Sequence, residues 1–96
     1  MITTEASKTN ALRIAKLLIQ NKLAACVSIK QIFSIYEWDD HIEETKEFEI
    51  IIKSKPEFKE SLIDLLHKIS THEIPQIIFK KYESEMKYYD WLNNII

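Results

Sequence analysis

The sequence has no glycine among its 96 residues. Phosphate-binding loops that depend on glycine are thereby excluded, so there is neither a Walker loop nor a dinucleotide fingerprint. Any left-handed backbone position must be filled by Asn, Asp or another tolerated residue. Cys26 is the only cysteine, so no internal disulfide forms; this suits a reducing compartment, and a cytoplasmic protein is expected. No apolar run approaches the ~20 residues of a membrane span. The N-terminus lacks the basic, apolar and small-residue order of a signal peptide. The formal net charge is −2, with acids and bases interleaved and no basic stripe or tail. Neither nucleic acid nor a membrane is therefore an expected partner.

What is present is an amphipathic helix followed by an overlong hairpin. Ser7 is placed to cap a helix in which Ala11, Ile14, Ala15, Leu18 and Ile19 recur at helical spacing to about Lys22. An apolar strand is expected from Leu23 to Trp38, with a bulge near Lys30-Gln31, well beyond the roughly 5–6 residues of a usual strand. Asp39-Asp40 suits a tight turn. A third strand from about Ile42 to Ser54 puts Phe48, Ile50 and Ile52 on one face. A small domain cannot cover a hairpin of that length from its own residues, so a partner chain is expected.

Before the hairpin, Met1 to Thr4 forms the end of a first strand. After it, Ser54-Lys55-Pro56-Glu57 has the spacing of a capping box, followed by Phe58, Leu62, Leu65, Leu66 and Ile69 on one helical face. Ile74 to Lys81 is expected as a fourth strand with Pro75 near its start. Met86, Tyr89 and Leu92 mark a short closing helix. The order is βαββαβ plus a C-terminal helix, an α+β ferredoxin-like sandwich in one domain spanning 1–96.

With these elements in place, the sequence resembles the CutA family of divalent-cation tolerance proteins. The likeness is carried by Thr3-Thr4, by Leu23-Ala24-Ala25-Cys26-Val27 with Ser34-Ile35-Tyr36-Glu37-Trp38, by Ile52-Lys53-Ser54, by Glu73-Ile74-Pro75, and by Tyr88 and Trp91 in a Tyr-x-x-Trp pattern. The resemblance implies a PII-like homotrimer whose long hairpin packs across a neighbouring subunit. It implies a non-enzymatic binding or signalling role in the response to divalent cations such as copper(II). Three ligand positions of bacterial members fall here on Thr3, Ser70 and Gln76, and none of the three is retained as a ligand. The family's Pro-Tyr is Thr71-His72, its turn glycine is Asp40, and the segment between Ile29 and Ser34 is one residue shorter. Relatives carry several more apolar residues before the first strand, so a longer native N-terminus is expected.

Few residues offer chemistry of their own. Cys26, between Ala25 and Val27, is expected as a small core residue. His41 lies at an acidic hairpin tip, where a solvated turn competes with weak cation binding. His67 is expected exposed. His72 with Glu73 is the better metal candidate, although it needs further ligands from elsewhere or from another chain. Tyr36, Trp38 and Trp91 are expected as interface anchors. Lys53 suits a snorkelling edge residue or an anion contact in an inter-subunit cleft. The run Glu43-Glu44-Thr45-Lys46-Glu47 is expected as a solvated strand face that discourages edge pairing.

Other functions on this topology lack their residues. An acylphosphatase-type enzyme needs a Gly-rich anion loop with an Arg, and Arg13 is mid-helix. An RNA-recognition module needs exposed aromatics with basic charge, and Phe48 is flanked by Glu47 and Glu49. A metallochaperone of the Cys-x-x-Cys type needs two cysteines. A trimeric scaffold, or a small-molecule signalling module without a metal role, remains as the alternative.

Overall fold

The computed structural model describes residues 1–96 and shows an α+β chain in which one antiparallel sheet is covered on one face by helices. Strand β1 is Ile2–Glu5, helix α1 is Lys8–Gln20, β2 is Cys26–Trp38 and β3 is His41–Lys53. A 3-10 turn at Pro56–Phe58 leads into α2, Lys59–Ile69, and α3, Met86–Ile95, closes the chain. The sheet order is β1-β3-β2.

Ser7 caps α1 as its position predicts: the Asn10 N–H donates to Ser7 Oγ at 3.1 Å. The other end closes without glycine. Lys22 takes φ 58°, its N–H donates to Ile19 O, and the Leu23 N–H donates to Leu18 O. This is the paired bonding of a Schellman turn, with lysine where glycine is usual. Because Leu23 closes the helix, β2 begins at Cys26 rather than at Leu23. The carbonyl of Leu23 is also engaged, accepting from the Ser54 hydroxyl. Ser54 therefore does not cap the second helix. The 3-10 turn has Lys55 at its N-cap with no side-chain cap bond, and the expected capping box is absent.

The hairpin is regular from end to end. Cys26 pairs with Lys53 and Trp38 with His41 in one unbroken register, so no bulge interrupts Lys30-Gln31. Asp39 and Asp40 take φ 51° and 62°, the two successive positive values that a two-residue type I′ turn requires. At about 3.3 Å per residue, thirteen-residue strands reach about 43 Å, close to the 46 Å of the molecule's longest dimension.

The core lies at one end of that hairpin. Ala11, Ile14 and Leu18 of α1 and Leu62 and Leu66 of α2 bury against Ile50 and Ile52. The pleat puts Val27 and Ile29 on this same face and sends Cys26, Ser28 and Lys53 to the other. Cys26 is consequently half-buried rather than a core residue. His67 is exposed, as expected.

The expected fourth strand is reduced to one bridge. Ile2 and Ile78 exchange both backbone hydrogen bonds, at 2.8 and 3.0 Å, and no other residue of 74–81 joins the sheet. In this antiparallel register Phe79 falls opposite Met1, so residues from Lys80 onward have no partner. On the other side, the ring of Pro75 fixes its φ and removes a donor. The bridge still places β1 between β3 and this segment. Lys59 Nζ, 4.5 Å from the Phe79 ring centroid, helps hold the segment against α2.

Candidate functional site

Beyond residue 32 the hairpin outruns the helices. Phe33, Ile35 and Ile42, on the helix side of the sheet, are left 79%, 70% and 78% exposed. Tyr36 and Trp38 lie on the opposite face, where Tyr36 pairs with Glu43 and Trp38 with His41. The register of β1 ends at Glu5 opposite Phe48, so the outer edge of β3 from His41 to Glu47 has no strand beside it.

The face turned away from the helices carries a cavity of about 510 Å³. Its walls come from three places: Ser34, Tyr36 and Trp38 of β2, Glu43 and Glu47 of β3, and the connection from His72 to Gln76, with Thr4 and Ile35 at its margin. Glu47 is the fixed point. One carboxylate oxygen accepts from the Ser34 hydroxyl, and the other lies 3.5 Å from His72 Nε2. That Nε2 is shielded from solvent and makes no hydrogen bond.

The connection is tied down from the other side of the sheet. Glu5 is fully buried, and its carboxylate accepts from the Thr71 hydroxyl (2.7 Å), the Thr71 N–H (3.3 Å) and the Ser70 hydroxyl (3.1 Å). Ser70 Oγ in turn accepts from the His72 N–H at 3.2 Å. A buried carboxylate with three donors is thus what delivers His72 to Glu47. Nothing in the residue pattern signals it, because a lone glutamate beside two threonines looks like a strand end.

The structure brings together His72, Glu73, Tyr36 and Trp38 in the one cavity and leaves three other candidates out. His41 is at the hairpin tip, exposed, and does not line the cavity. Lys53 donates to Ser28 Oγ at 2.8 Å and sits 3.8 Å from Cys26 Sγ, on the cavity's face but outside it. The Trp91 ring lies 5.5 Å from that of Tyr88, tilted by 38°, within α3, a helix with no fully buried residue. Glu43 and Glu47 were expected as part of a solvated face. Instead Glu43, Thr45 and Glu47 are half-buried while Glu44 and Lys46 are exposed. Strand alternation carries that distinction, and reading the run as one charged block hides it.

No metal centre is assembled from this chain. Nowhere do three His, Cys, Asp or Glu side chains converge on one point. Thr3 is buried on the helix side, Ser70 is occupied by Glu5, and Gln76 only lines the cavity. The residues present do not fit a copper site within one subunit.

A three-stranded antiparallel sheet backed by helices, with an overhanging hairpin and a cleft at its root, is an α+β arrangement of the ferredoxin-like class. The profile of the CutA1 divalent ion tolerance protein family matches residues 1–95, and the chain belongs to that family. Its structure superposes with TM-score 0.93 on the periplasmic divalent cation tolerance protein CutA of Archaeoglobus fulgidus, which is 32% identical, over 98% of this chain and 93% of that one. The PII-like protein CutA of Nostoc, 23% identical, shares the fold at TM-score 0.90 over 98% and 92% of the two chains. The human Protein CutA is 33% identical over 87 residues, 88% of this chain but only 49% of its own length. The chain thus spans about half of that relative.

Proposed function

We propose that this chain is a homotrimeric, PII-like binding or signalling protein that acts in the response to divalent metal ions, copper(II) among them. One observation carries the assembly. The chain exposes 6841 Å², against about 5,800 Å² for a compact monomer of 11.4 kDa. The excess, about 1,000 Å², is the share that one partner contributes to a standard protein interface. Its radius of gyration, 14.2 Å, likewise exceeds the about 12.5 Å of a compact chain of this length. Much of the excess belongs to the hairpin overhang, with its free β3 edge and its exposed Phe33, Ile35 and Ile42. A free strand edge with apolar faces is suited to receive another chain. Tyr36, Trp38 and Trp91, each about two-fifths exposed, are the aromatics that such an interface would bury.

The metal role rests on family membership. Because no ligand set converges within one chain, a metal ion would have to draw on His72 and Glu47 together with groups from a second subunit. A second reading, a trimeric small-molecule module without a metal role, is favoured by the replacement of the three family ligand positions with Thr3, Ser70 and Gln76. No catalytic role is proposed. The single Cys26 suits a cytoplasmic location, unlike the archaeal relative named as periplasmic; no helix is long and apolar enough to cross a membrane.

Light scattering with and without copper(II), and again with a chelator, tests the assembly and the metal role together. A mass near three times 11.4 kDa in each condition supports the trimer. Retention of copper through gel filtration supports the metal role, and free passage of copper favours the second reading. A monomer in every condition refutes the assembly.

A further inference from the structure

We propose that the acidic hairpin overhang of one subunit docks head-to-tail on the C-terminal segment of the next, Phe79 to Tyr89, with Lys80 and Lys81 paired against the acids around Ile35 and Ile42. The inference rests on the trimeric reading above, and it names what each hairpin meets. A ring of three cannot be closed by a patch that meets itself, because self-complementary contacts join two subunits about a two-fold axis. The surface that covers the overhang is therefore a different part of the chain.

The opposite end of the molecule offers such a surface. β1 runs antiparallel both to β3 and to the bridged residue Ile78, so the chain after Ile78 travels toward the hairpin's root and away from its tip. There Lys55 Nζ donates to Asn93 O at 3.3 Å and Lys59 lies against the Phe79 ring, which holds the segment in place. Nothing in the chain covers it. Every residue from Ile78 to Trp91 is exposed, Tyr82 by 63%, Met86 by 67% and Tyr89 by 56%. One chain thus carries two uncovered apolar surfaces at opposite ends, and only a second copy can bring them together.

Their charges are complementary. On the helix side of the overhang, Glu37 stands opposite Ile42 and Glu44 opposite Ile35, with Asp39 and Asp40 at the turn; Lys46 is the base on that face. At the other end, Lys80 and Lys81 follow Phe79, and Lys80 Nζ lies 5.2 Å from the Tyr82 ring centroid. Of the acids beside them, Glu85 is occupied by the N–H groups of Lys87 and Tyr88, which leaves Glu83. Overhang against overhang would set acid against acid, whereas overhang against this segment sets acid against base. Such charges select the head-to-tail contact over the like-with-like one.

The test is carbodiimide cross-linking of the unmodified chain, which joins an ammonium to a carboxylate in contact with it, followed by peptide mapping, with sedimentation equilibrium in parallel. Bonds from Lys80 or Lys81 to Glu37, Asp39, Asp40 or Glu44 are expected, and they can form only between chains. A trimeric sample without those bonds overturns the proposal. Lys80→Glu/Lys81→Glu is expected to weaken trimer association by about tenfold or more with an unchanged circular dichroism spectrum. Adding Glu37→Lys/Glu44→Lys to the same chain should restore it. A folded Lys80→Glu/Lys81→Glu chain that associates as the unmodified one does, or a loss that the charge swap fails to restore, overturns the proposal and leaves the trimer standing. Where the variant fails to fold, the cross-link map of the unmodified chain decides. An unmodified chain of 11.4 kDa overturns the trimer, and this contact with it.

Discussion

Glu5 and Thr71, 66 residues apart in sequence, are joined by a 2.7 Å hydrogen bond from the Thr71 hydroxyl to a carboxylate with no solvent exposure. This bond fixes where the chain leaves α2 and therefore where His72 arrives. Replacing Glu5 with Ala leaves the Ser70 hydroxyl and the Thr71 N–H without their acceptor and opens a void beside β1. Glu5→Ala is expected to destabilise the chain by about 1–3 kcal/mol in urea unfolding. It should also release His72 from Glu47, seen as altered His72 ring signals by NMR.

The absence of glycine leaves strain that can be relieved. Lys22 holds φ 58° at the end of α1, a conformation that suits glycine better than lysine. Lys22→Gly is expected to stabilise the chain by about 1 kcal/mol, whereas Lys16→Gly, on the exposed side of the same helix, should destabilise it by about the same amount. Opposite signs in thermal or urea unfolding check the assignment; equal losses would contradict it.

A pH effect follows from the N-terminus. The Met1 ammonium donates to Ile52 O at 2.9 Å, and partial burial lowers its pKa from the usual 8.0. In the window between that lowered value and 8.0 the folded chain holds fewer protons than the unfolded chain, so stability rises with pH across it. Below the window the cost of burying the charged amine is fully present. Urea unfolding on either side of pH 8 should show this rise for a chain beginning at Met1, and acetylation of the amine should abolish it.

Much of this architecture is legible in the residues. Ser7 caps its helix, Asp39-Asp40 turns the hairpin, and Phe48, Ile50 and Ile52 share the core face because their spacing leaves no other arrangement. Ser54 misleads because a hydroxyl can donate as well as accept, and here it donates to the Leu23 carbonyl. The alternation from Ile74 to Lys81 is that of a strand, but pairing depends on what β1 offers, and there only Ile2 meets Ile78. The cavity was half legible. His72, Tyr36 and Trp38 stand out by type, whereas Glu47 is one acid in a charged run, and only the pleat of β3 turns it inward.

The exposed hairpin side chains are expected to matter to assembly and not to the single chain. Phe33 and Ile42 make no contribution to the core, so Phe33→Asp and Ile42→Asp should change the stability of an isolated subunit by no more than about 0.5 kcal/mol. In an assembly that buries them, each charge is placed at an apolar contact and should drive dissociation. Circular dichroism and concentration-dependent gel filtration of each variant separate the two effects.

The most direct test of the account is sedimentation equilibrium of the unmodified chain beside the Phe33→Asp/Ile42→Asp double variant. A trimer held through the hairpins should give a mass near three times 11.4 kDa for the first and 11.4 kDa for the second, with both folded. An unmodified chain that sediments at 11.4 kDa would contradict it, because the overhanging hairpin would then stand in water with nothing to cover it.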